Sequence, residues 1–166
     1  MTDSKQNKNN KKNIISYMVC AFSIGLFISI LFLQITRDTS LSYNVWVVYK
    51  KPVEFQKGDY VMFKYLKEDR YIYGKKLIKR ITCVPGEYLK RINNAFYCND
   101  IRIADVIMYD KSGNKLPDWF YDGKIPDGYY FVQGTHERSY DSRYFGLIKY
   151  EEIQKKAFPI AKFFGF

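Results

Sequence analysis

The sequence predicts a mainly β protein with one N-terminal transmembrane helix followed by a folded-over antiparallel β-domain. Three observations lead to this class. An uncharged run of 20 residues lies near the N-terminus, the chain beyond it is rich in aromatic and β-branched residues, and turn signals interrupt it at short intervals. The predicted divisions are a basic cytoplasmic tail at 1–13, an anchor at 14–33 and an extracytoplasmic domain at 34–166.

The apolar run 14–33 is long enough to cross a membrane, because a helix rising ~1.5 Å per residue covers a ~30 Å hydrocarbon core in about 20 residues. It exceeds the ~7 to 15 apolar residues of a signal peptide and no Ala-x-Ala site follows it, so we expect an uncleaved anchor. The polar tail before it, with four lysines against Asp3, is expected to be disordered. The positive-inside rule predicts a single-pass protein of the cytoplasmic (inner) membrane, with 34–166 in the periplasm.

The chain is strongly basic, with 27 Lys and Arg against 17 Asp and Glu for a formal net charge of +10. The tail supplies +3 of this charge and the apolar run none, so the outer domain keeps +7. Anionic membrane lipid is therefore an expected partner, and nucleic acid is not expected because the domain faces away from the cytoplasm. One histidine cannot build an ordinary zinc site, and no metal or organic cofactor is implied.

Beyond the anchor, several segments have the composition of strands. Turn signals rich in Gly, Pro, Asn and Asp separate them, which is typical of short antiparallel strands. A short helix or turn is expected at 151–156. The predicted strands are 43–49, 60–66, 71–84, 95–98, 101–109 and 129–133.

One predicted strand has a lysine on its apolar face. With the two-residue period of a strand, Lys79 shares a face with Leu77 and Ile81, whereas Arg80 falls on the other. Apolar surroundings disfavour the ammonium form, and the neutral amine can then act as the general base of a serine-lysine hydrolase. The alternative is a lysine whose charged end extends to solvent at a strand edge.

Ser40 and Ser42 are candidate hydroxyl partners for that amine. Ser40 follows the apolar run by seven residues, so at ~3.3 Å per extended residue it lies within about 23 Å of the membrane end. A nucleophile there would meet chains that emerge from the bilayer. A serine in such a Thr/Ser-rich stretch is otherwise a turn or cap residue.

Two cysteines, Cys83 and Cys98, lie in the predicted outer domain. An oxidising compartment permits a disulfide between them, closing a loop of about 15 residues and stabilising the fold by roughly 3 kcal/mol in the chain-entropy model. Two free thiols are the alternative.

Four sequence blocks follow the predicted anchor: 40–46 (SLSYNVW), 57–63 (KGDYVMF), 79–87 (KRITCVPGE) and 139–146 (SYDSRYFG). In this order they resemble the type I signal peptidases, and within that family the TraF-type peptidases of conjugative-transfer systems. The resemblance implies the signal peptidase fold and a membrane-bound serine endopeptidase that cleaves leader or signal peptides of exported preproteins. The compact spacing of the blocks favours the transfer type, whose substrates are pilin precursors or other parts of a type IV secretion apparatus. The general type I signal peptidase is the alternative.

The resemblance also implies roles for individual residues. Ser40 would be the nucleophile, Lys79 the general base, and Ser139 the hydroxyl that orients the Lys79 amine. Asp141 and Arg143 are expected to support the last block as a structural ion pair.

Departures from the family pattern leave some roles open. Ser42 stands where the family usually has proline, so it remains an alternative nucleophile. Asp38 stands where some relatives supply a hydroxyl to the oxyanion hole. His136 is expected to be a surface loop residue.

A different class of function would be a catalytically silent, membrane-anchored scaffold of a secretion or pilus complex. Such a protein needs neither Ser40 nor Lys79. The two classes differ in whether these side chains approach hydrogen-bond distance in an apolar environment.

Overall fold

The computed structural model describes residues 3–35 and 40–161, with side chains described in 13–27 and 40–161. It divides into two units, Met1–Leu33 and Gln34–Phe166. The first unit contains helix α1, Asp3–Phe32, which begins inside the tail predicted to be disordered. Lys and Gln are good helix formers, and extending a helix costs less free energy than nucleating one, so the helix continues through this tail. Among the residues that the structure describes, no helix combines the length and the apolar character of a membrane span.

Antiparallel sheet is the main regular structure of the second unit, which confirms the predicted mainly β class. One sheet has the strand order β1-β2-β11-β3-β4-β9-β10 and the other the order β7-β6-β5-β8. The strands are β1 Leu33–Ile35, β2 Val45–Lys50, β3 Tyr60–Lys64, β4 Lys76–Cys83, β5 Tyr88–Ile92, β6 Ala95–Cys98, β7 Ile101–Asp105, β8 Asp122–Lys124, β9 Tyr129–Gln133, β10 Ile148–Lys149 and β11 Ile153–Ala161; a short helix α2 spans Ser142–Phe145, and a 3₁₀ turn spans Tyr150–Glu152.

The strand predicted at 71–84 is shorter than expected, because β4 begins only at Lys76. The five residues before it form a turn. Asp69 accepts hydrogen bonds from the backbone N–H groups of Tyr71 and Ile72, and Gly74 has φ +74°, in the left-handed region that favours glycine. These local hydrogen bonds compete with sheet pairing and delay the start of the strand.

The end of the chain also differs from the prediction. The short helix or turn expected at 151–156 is limited to a 3₁₀ turn, and nine residues of strand β11 follow it. Strand β11 pairs with β2 from Lys155 to Ala161 but with β3 only from Ile153 to Ala157. Pro159 therefore lies where one side of the strand has no ladder partner, the position in which a sheet tolerates proline.

The core lies on both faces of the larger sheet and extends to the smaller one. The three clusters include Phe63, Ile81 and Val132 on one face; Trp46, Val48 and Met62 on the other; and Leu89, Phe96 and Phe131 where residues of both sheets meet. Cys83 and Cys98, in the third cluster, form a disulfide that joins the end of β4 to the end of β6.

Candidate active site

Lys79 lies in the middle of β4, and its side chain is buried on one face of the sheet. Its neighbours on that face are Leu77 and Ile81, and Val61 of β3 lies directly opposite. Arg80 is exposed on the other face. The side chain of Lys79 is 1% exposed, so the amine is held inside the protein. The alternative of a solvent-directed lysine at a strand edge is therefore wrong.

Two hydroxyl groups lie against the Lys79 amine. Lys79 Nζ is 2.6 Å from Ser40 Oγ and 3.0 Å from Ser139 Oγ. All three side chains are buried. The structure thus brings together the predicted nucleophile, the predicted base and the predicted orienting hydroxyl from segments that are 39 and 60 residues apart in sequence.

The loop after β9 holds the main chain of Ser40. The backbone N–H of His136 donates to the Ser40 carbonyl oxygen at 3.2 Å. A Cβ atom on Gly134 would lie 2.4 Å from the same oxygen and 2.2 Å from Ser139 Oγ, closer than real Cβ contacts. Only glycine fits between the two serines. The last sequence block begins only at Ser139, and no pattern in the sequence revealed the contact of Gly134 with Ser40.

Asp141 and Arg143 form a buried ion pair beneath that loop. Arg143 Nε lies 2.8 Å from Asp141 Oδ1, and Nη2 lies 2.9 Å from Oδ2. Burial by itself lowers the pKa of the Arg143 guanidinium, but the hydrogen bond and the charge of Asp141 outweigh burial, so its pKa is raised.

Further hydrogen bonds of this pair go to the loop backbone. Arg143 donates to the carbonyl oxygens of Glu137 and Ser139 at 2.7 and 2.8 Å. The Asp141 carboxylate accepts from the Gly134 N–H at 2.9 Å. The pair therefore holds both ends of the 134–139 loop, which positions Ser139.

Ser42 is directed away from the lysine. It is exposed, and its hydroxyl lies 3.0 Å from Thr135 Oγ1. His136 is also exposed, with Nδ1 accepting from the Arg138 backbone N–H. Asp38 lies outside the described residues.

One group of potential metal ligands occurs in the described part of the chain: Cys83, Glu87 and Cys98. The two sulfur atoms form a disulfide, so neither is a thiolate that could bind a metal. Glu87 instead accepts from the Val84 N–H and from the Lys57 amine. This arrangement does not fit a metal site.

Comparison with known proteins places the chain in one family. The family model described as signal peptidase, peptidase S26, matches residues 11–161. Signal peptidase I V of Bacillus subtilis (strain 168) is 28% identical over 155 residues, covering 80% of this chain and 92% of the relative. Signal peptidase I of Bacillus licheniformis is 26% identical over 164 residues, covering 86% and 84%.

A crystal structure of a signal peptidase I from Enterococcus faecalis V583 is also similar, with a TM-score of 0.42 and 22% identity over 65% of this chain and 98% of that chain. The family model itself spans most of the sequence. The chain therefore belongs to the signal peptidase family, peptidase S26, and is a serine protease of that family.

Proposed function

We propose that Ser40 is the nucleophile and Lys79 the general base of an endopeptidase that removes the signal peptides of exported preproteins. The observation that carries the proposal is the 2.6 Å separation of Lys79 Nζ and Ser40 Oγ among buried apolar side chains. Burial disfavours the charged form of an amine, and a neutral amine has the lone pair that a general base needs.

In the proposed reaction, the Ser40 hydroxyl proton moves to Lys79 Nζ while Oγ attacks the scissile carbonyl carbon. When the tetrahedral intermediate collapses, the C–N bond breaks and the lysine ammonium returns the proton to the leaving amine. Lys79 then takes a proton from the water that attacks the acyl-serine ester. When the bond between the acyl carbon and Oγ breaks, the lysine ammonium returns that proton to Ser40 Oγ, which regenerates both groups. The backbone N–H of Ser40 would stabilise the developing oxyanion.

Ser139 would keep the lysine amine aimed at Ser40 during these proton transfers. Its hydroxyl is 3.0 Å from Nζ, and its own position is set by the Asp141–Arg143 pair. The substrate would pair as an extended strand near Ser40 and Lys79, with small side chains at alternate positions in shallow pockets.

The proposal includes the membrane anchor at 14–33 and an extracytoplasmic position for 34–166. The run without charge in the sequence supports the anchor. The apolar side chains in the described part of this run are exposed, and a bilayer would give them an apolar environment. The basic domain would lie beside anionic lipid. More than half the surface of each of these helical side chains is exposed: Ile14, Ile15, Tyr17, Met18, Val19, Phe22, Ile24, Leu26 and Phe27.

We favour a general signal peptidase, whose substrates would be exported preproteins, because the relatives are named signal peptidase I. A transfer-type enzyme acting on pilin precursors is a second candidate, favoured by the compact spacing of the sequence blocks. A silent scaffold has no need for a lysine buried against a serine, so the same 2.6 Å distance argues against it.

The test is cleavage of a membrane-inserted preprotein by the full-length protein and by Ser40→Ala, Lys79→Met and Ser42→Ala. We expect the first two variants to lose cleavage by at least about 10³-fold and Ser42→Ala to remain active. Lys79→Met keeps a long apolar side chain, so loss of activity would report loss of the base more than loss of packing. A pilin precursor run in parallel separates the two substrate classes.

The outcomes separate the alternatives. Loss of cleavage in Ser42→Ala with an active Ser40→Ala would make Ser42 the nucleophile. Equal cleavage by all four proteins would refute the peptidase dyad. Flotation of the full chain with anionic vesicles, followed by protease protection of residues 1–13, tests the anchor and its orientation.

A further inference from the structure

Tyr140, the residue directly after Ser139, is tied to the loop that leads into β4. Its hydroxyl donates to Asp69 Oδ2 at 2.6 Å. Asp69 Oδ1 accepts from the backbone N–H groups of Tyr71 at 2.7 Å and Ile72 at 3.0 Å. The carboxylate is therefore fixed within the loop, and it presents its second oxygen to Tyr140.

The ring of Tyr140 packs against two other tyrosine rings. It stacks on the Tyr144 ring at 5.2 Å with an interplanar angle of 5°, and the Tyr71 ring lies 4.9 Å away. Burial and the hydrogen bond to Asp69 raise the pKa of the Tyr140 hydroxyl, so the phenol remains a hydrogen-bond donor across the neutral range. Both the direction and the protonation of the side chain are thus set.

The two segments joined by Tyr140 are the same two that carry the Lys79 amine and its orienting hydroxyl. Asp69 lies in the loop between β3 and β4, and β4 bears Lys79. At one end these segments meet through Ser139 Oγ and Lys79 Nζ at 3.0 Å, and at the other through Tyr140 and Asp69. Movement of the 134–140 loop along β4 would disturb both contacts together.

We propose that the Tyr140–Asp69 hydrogen bond is a latch that positions Ser139, and through Ser139 the Lys79 amine; the inference rests on the proposed function of that amine. Tyr140 is then a positioning residue, because it contacts neither Ser40 nor Lys79 in the described hydrogen bonds and acts only through its neighbour. Arg143 holds the Ser139 carbonyl from one side. The latch holds the next residue from the other side.

The first experiment is kinetic and uses the full-length protein. Tyr140→Phe keeps the stacked ring and removes only the hydroxyl. We expect kcat for preprotein cleavage to fall about tenfold with KM changed less than about twofold, since orientation of a reacting group affects the chemical step. In a Ser139→Ala background the same change should cause no further loss. Tyr73→Phe, in the same loop but exposed, should match the wild type.

The kinetic outcomes are decisive for the latch. Equal losses in the two backgrounds would mean that Tyr140 does not act through Ser139, and a rise in KM or an unchanged kcat would overturn the proposal as well. A general loss of stability would lower activity in both backgrounds alike. The comparison therefore separates positioning from folding.

The second experiment needs no activity. Hydrogen exchange of the Ser139 amide, which donates to the His136 carbonyl at 3.0 Å, reports directly on the loop. We expect Tyr140→Phe to increase exchange across 134–140 at least about fivefold and to leave β3 and β4 unchanged. Unchanged exchange in the loop would refute the latch. If the wild-type protein cleaves no preprotein while Tyr140→Phe still exchanges faster in the loop, that result would support the latch and refute only the proposed function.

Discussion

Gly134 packs directly against Ser40: a Cβ atom at position 134 would lie 2.4 Å from the Ser40 carbonyl oxygen. The same atom would lie 2.2 Å from Ser139 Oγ. Because the loop after β9 has no side chain at this point, its backbone can contact both serines at once. A side chain at position 134 would therefore force at least one of the two serines to move.

Replacing Gly134 with alanine should displace one or both serines. We expect Gly134→Ala to lose about 10²-fold or more in cleavage rate, because displacements near 1 Å can cost that much. The control is Gly113→Ala, where φ is +82° but the new Cβ meets no atom within 4 Å. This control should lose some stability through backbone strain and retain full activity. Near-normal turnover by Gly134→Ala would contradict the packing argument.

Removing the guanidinium of the buried ion pair should destabilise the protein strongly. In Arg143→Met, the Asp141 carboxylate is left buried without its counter-charge, a change that costs about 3–5 kcal/mol in comparable cases. Chemical denaturation measures this loss. Lys90→Gln breaks an exposed pair with Asp100 and should leave the denaturation midpoint nearly unchanged. Similar midpoints for the two variants would show that the buried pair is not a structural support.

The Cys83–Cys98 disulfide should stabilise the domain by about 3 kcal/mol, the chain-entropy value for a loop of this length. We expect the double variant Cys83→Ala/Cys98→Ala to unfold at lower denaturant concentration by a corresponding amount. Cys20→Ser, which changes the remaining cysteine, is the matched control. If reductant lowers the stability of the double variant as much as that of the wild type, the assigned bridge is not the source of the effect.

Two lysines face each other on neighbouring strands, Lys64 of β3 and Lys76 of β4. Like charges directly opposite in an antiparallel pair are destabilising. Lys76→Glu should therefore raise the denaturation midpoint at low salt, and the gain should shrink in about 1 M salt through screening. Lys111→Glu, on an exposed turn, makes the same charge change without a facing lysine. An equal gain in both variants would mean that the gain comes from the lower net charge and not from the two facing lysines.

Alkaline pH should weaken the fold through Tyr65. Burial, with the charges of Asp69 and Glu152, raises the pKa of Tyr65 to about 12, whereas an unfolded tyrosine titrates near 10. The stability gained from keeping this phenol neutral is complete below about pH 10 and is lost as the pH rises towards about 12. Denaturation curves at about pH 8 and 11.5 should show a smaller decline for Tyr65→Phe than for the wild type. Equal declines would contradict the shifted pKa.

Local patterns were sufficient to predict the strand that carries Lys79. The two-residue period of β4 separates Lys79 from Arg80, and burial in the structure follows that separation. Strand β11 was missed because it contains two half-buried lysines and an exposed proline, and because its partners β2 and β3 lie far away in the sequence. Pairing partners that are about 100 residues away leave no trace in a local pattern.

The candidate site was predictable only in part. The resemblance to a family indicated Ser40, Lys79 and Ser139, and the apolar face of β4 marked the lysine independently. The Asp141–Arg143 pair was expected as well, but it holds the loop through main-chain atoms, and the His136 N–H contacts the Ser40 carbonyl oxygen. Such contacts depend on how two loops meet, and no spacing of residue types encodes that.

The place of β11 in the sheet affects how the candidate site is assembled. Among the strands that the structure describes, β11 comes last in chain order, yet it lies between β2 and β3. Ser40 precedes β2, whereas Lys79 lies on β4, which is joined to β2 only through β11 and β3. Without β11, the two halves of the sheet lack the strand that connects them. We therefore expect a chain that lacks β11 to be unable to hold Ser40 against Lys79, because this strand pairs with both β2 and β3.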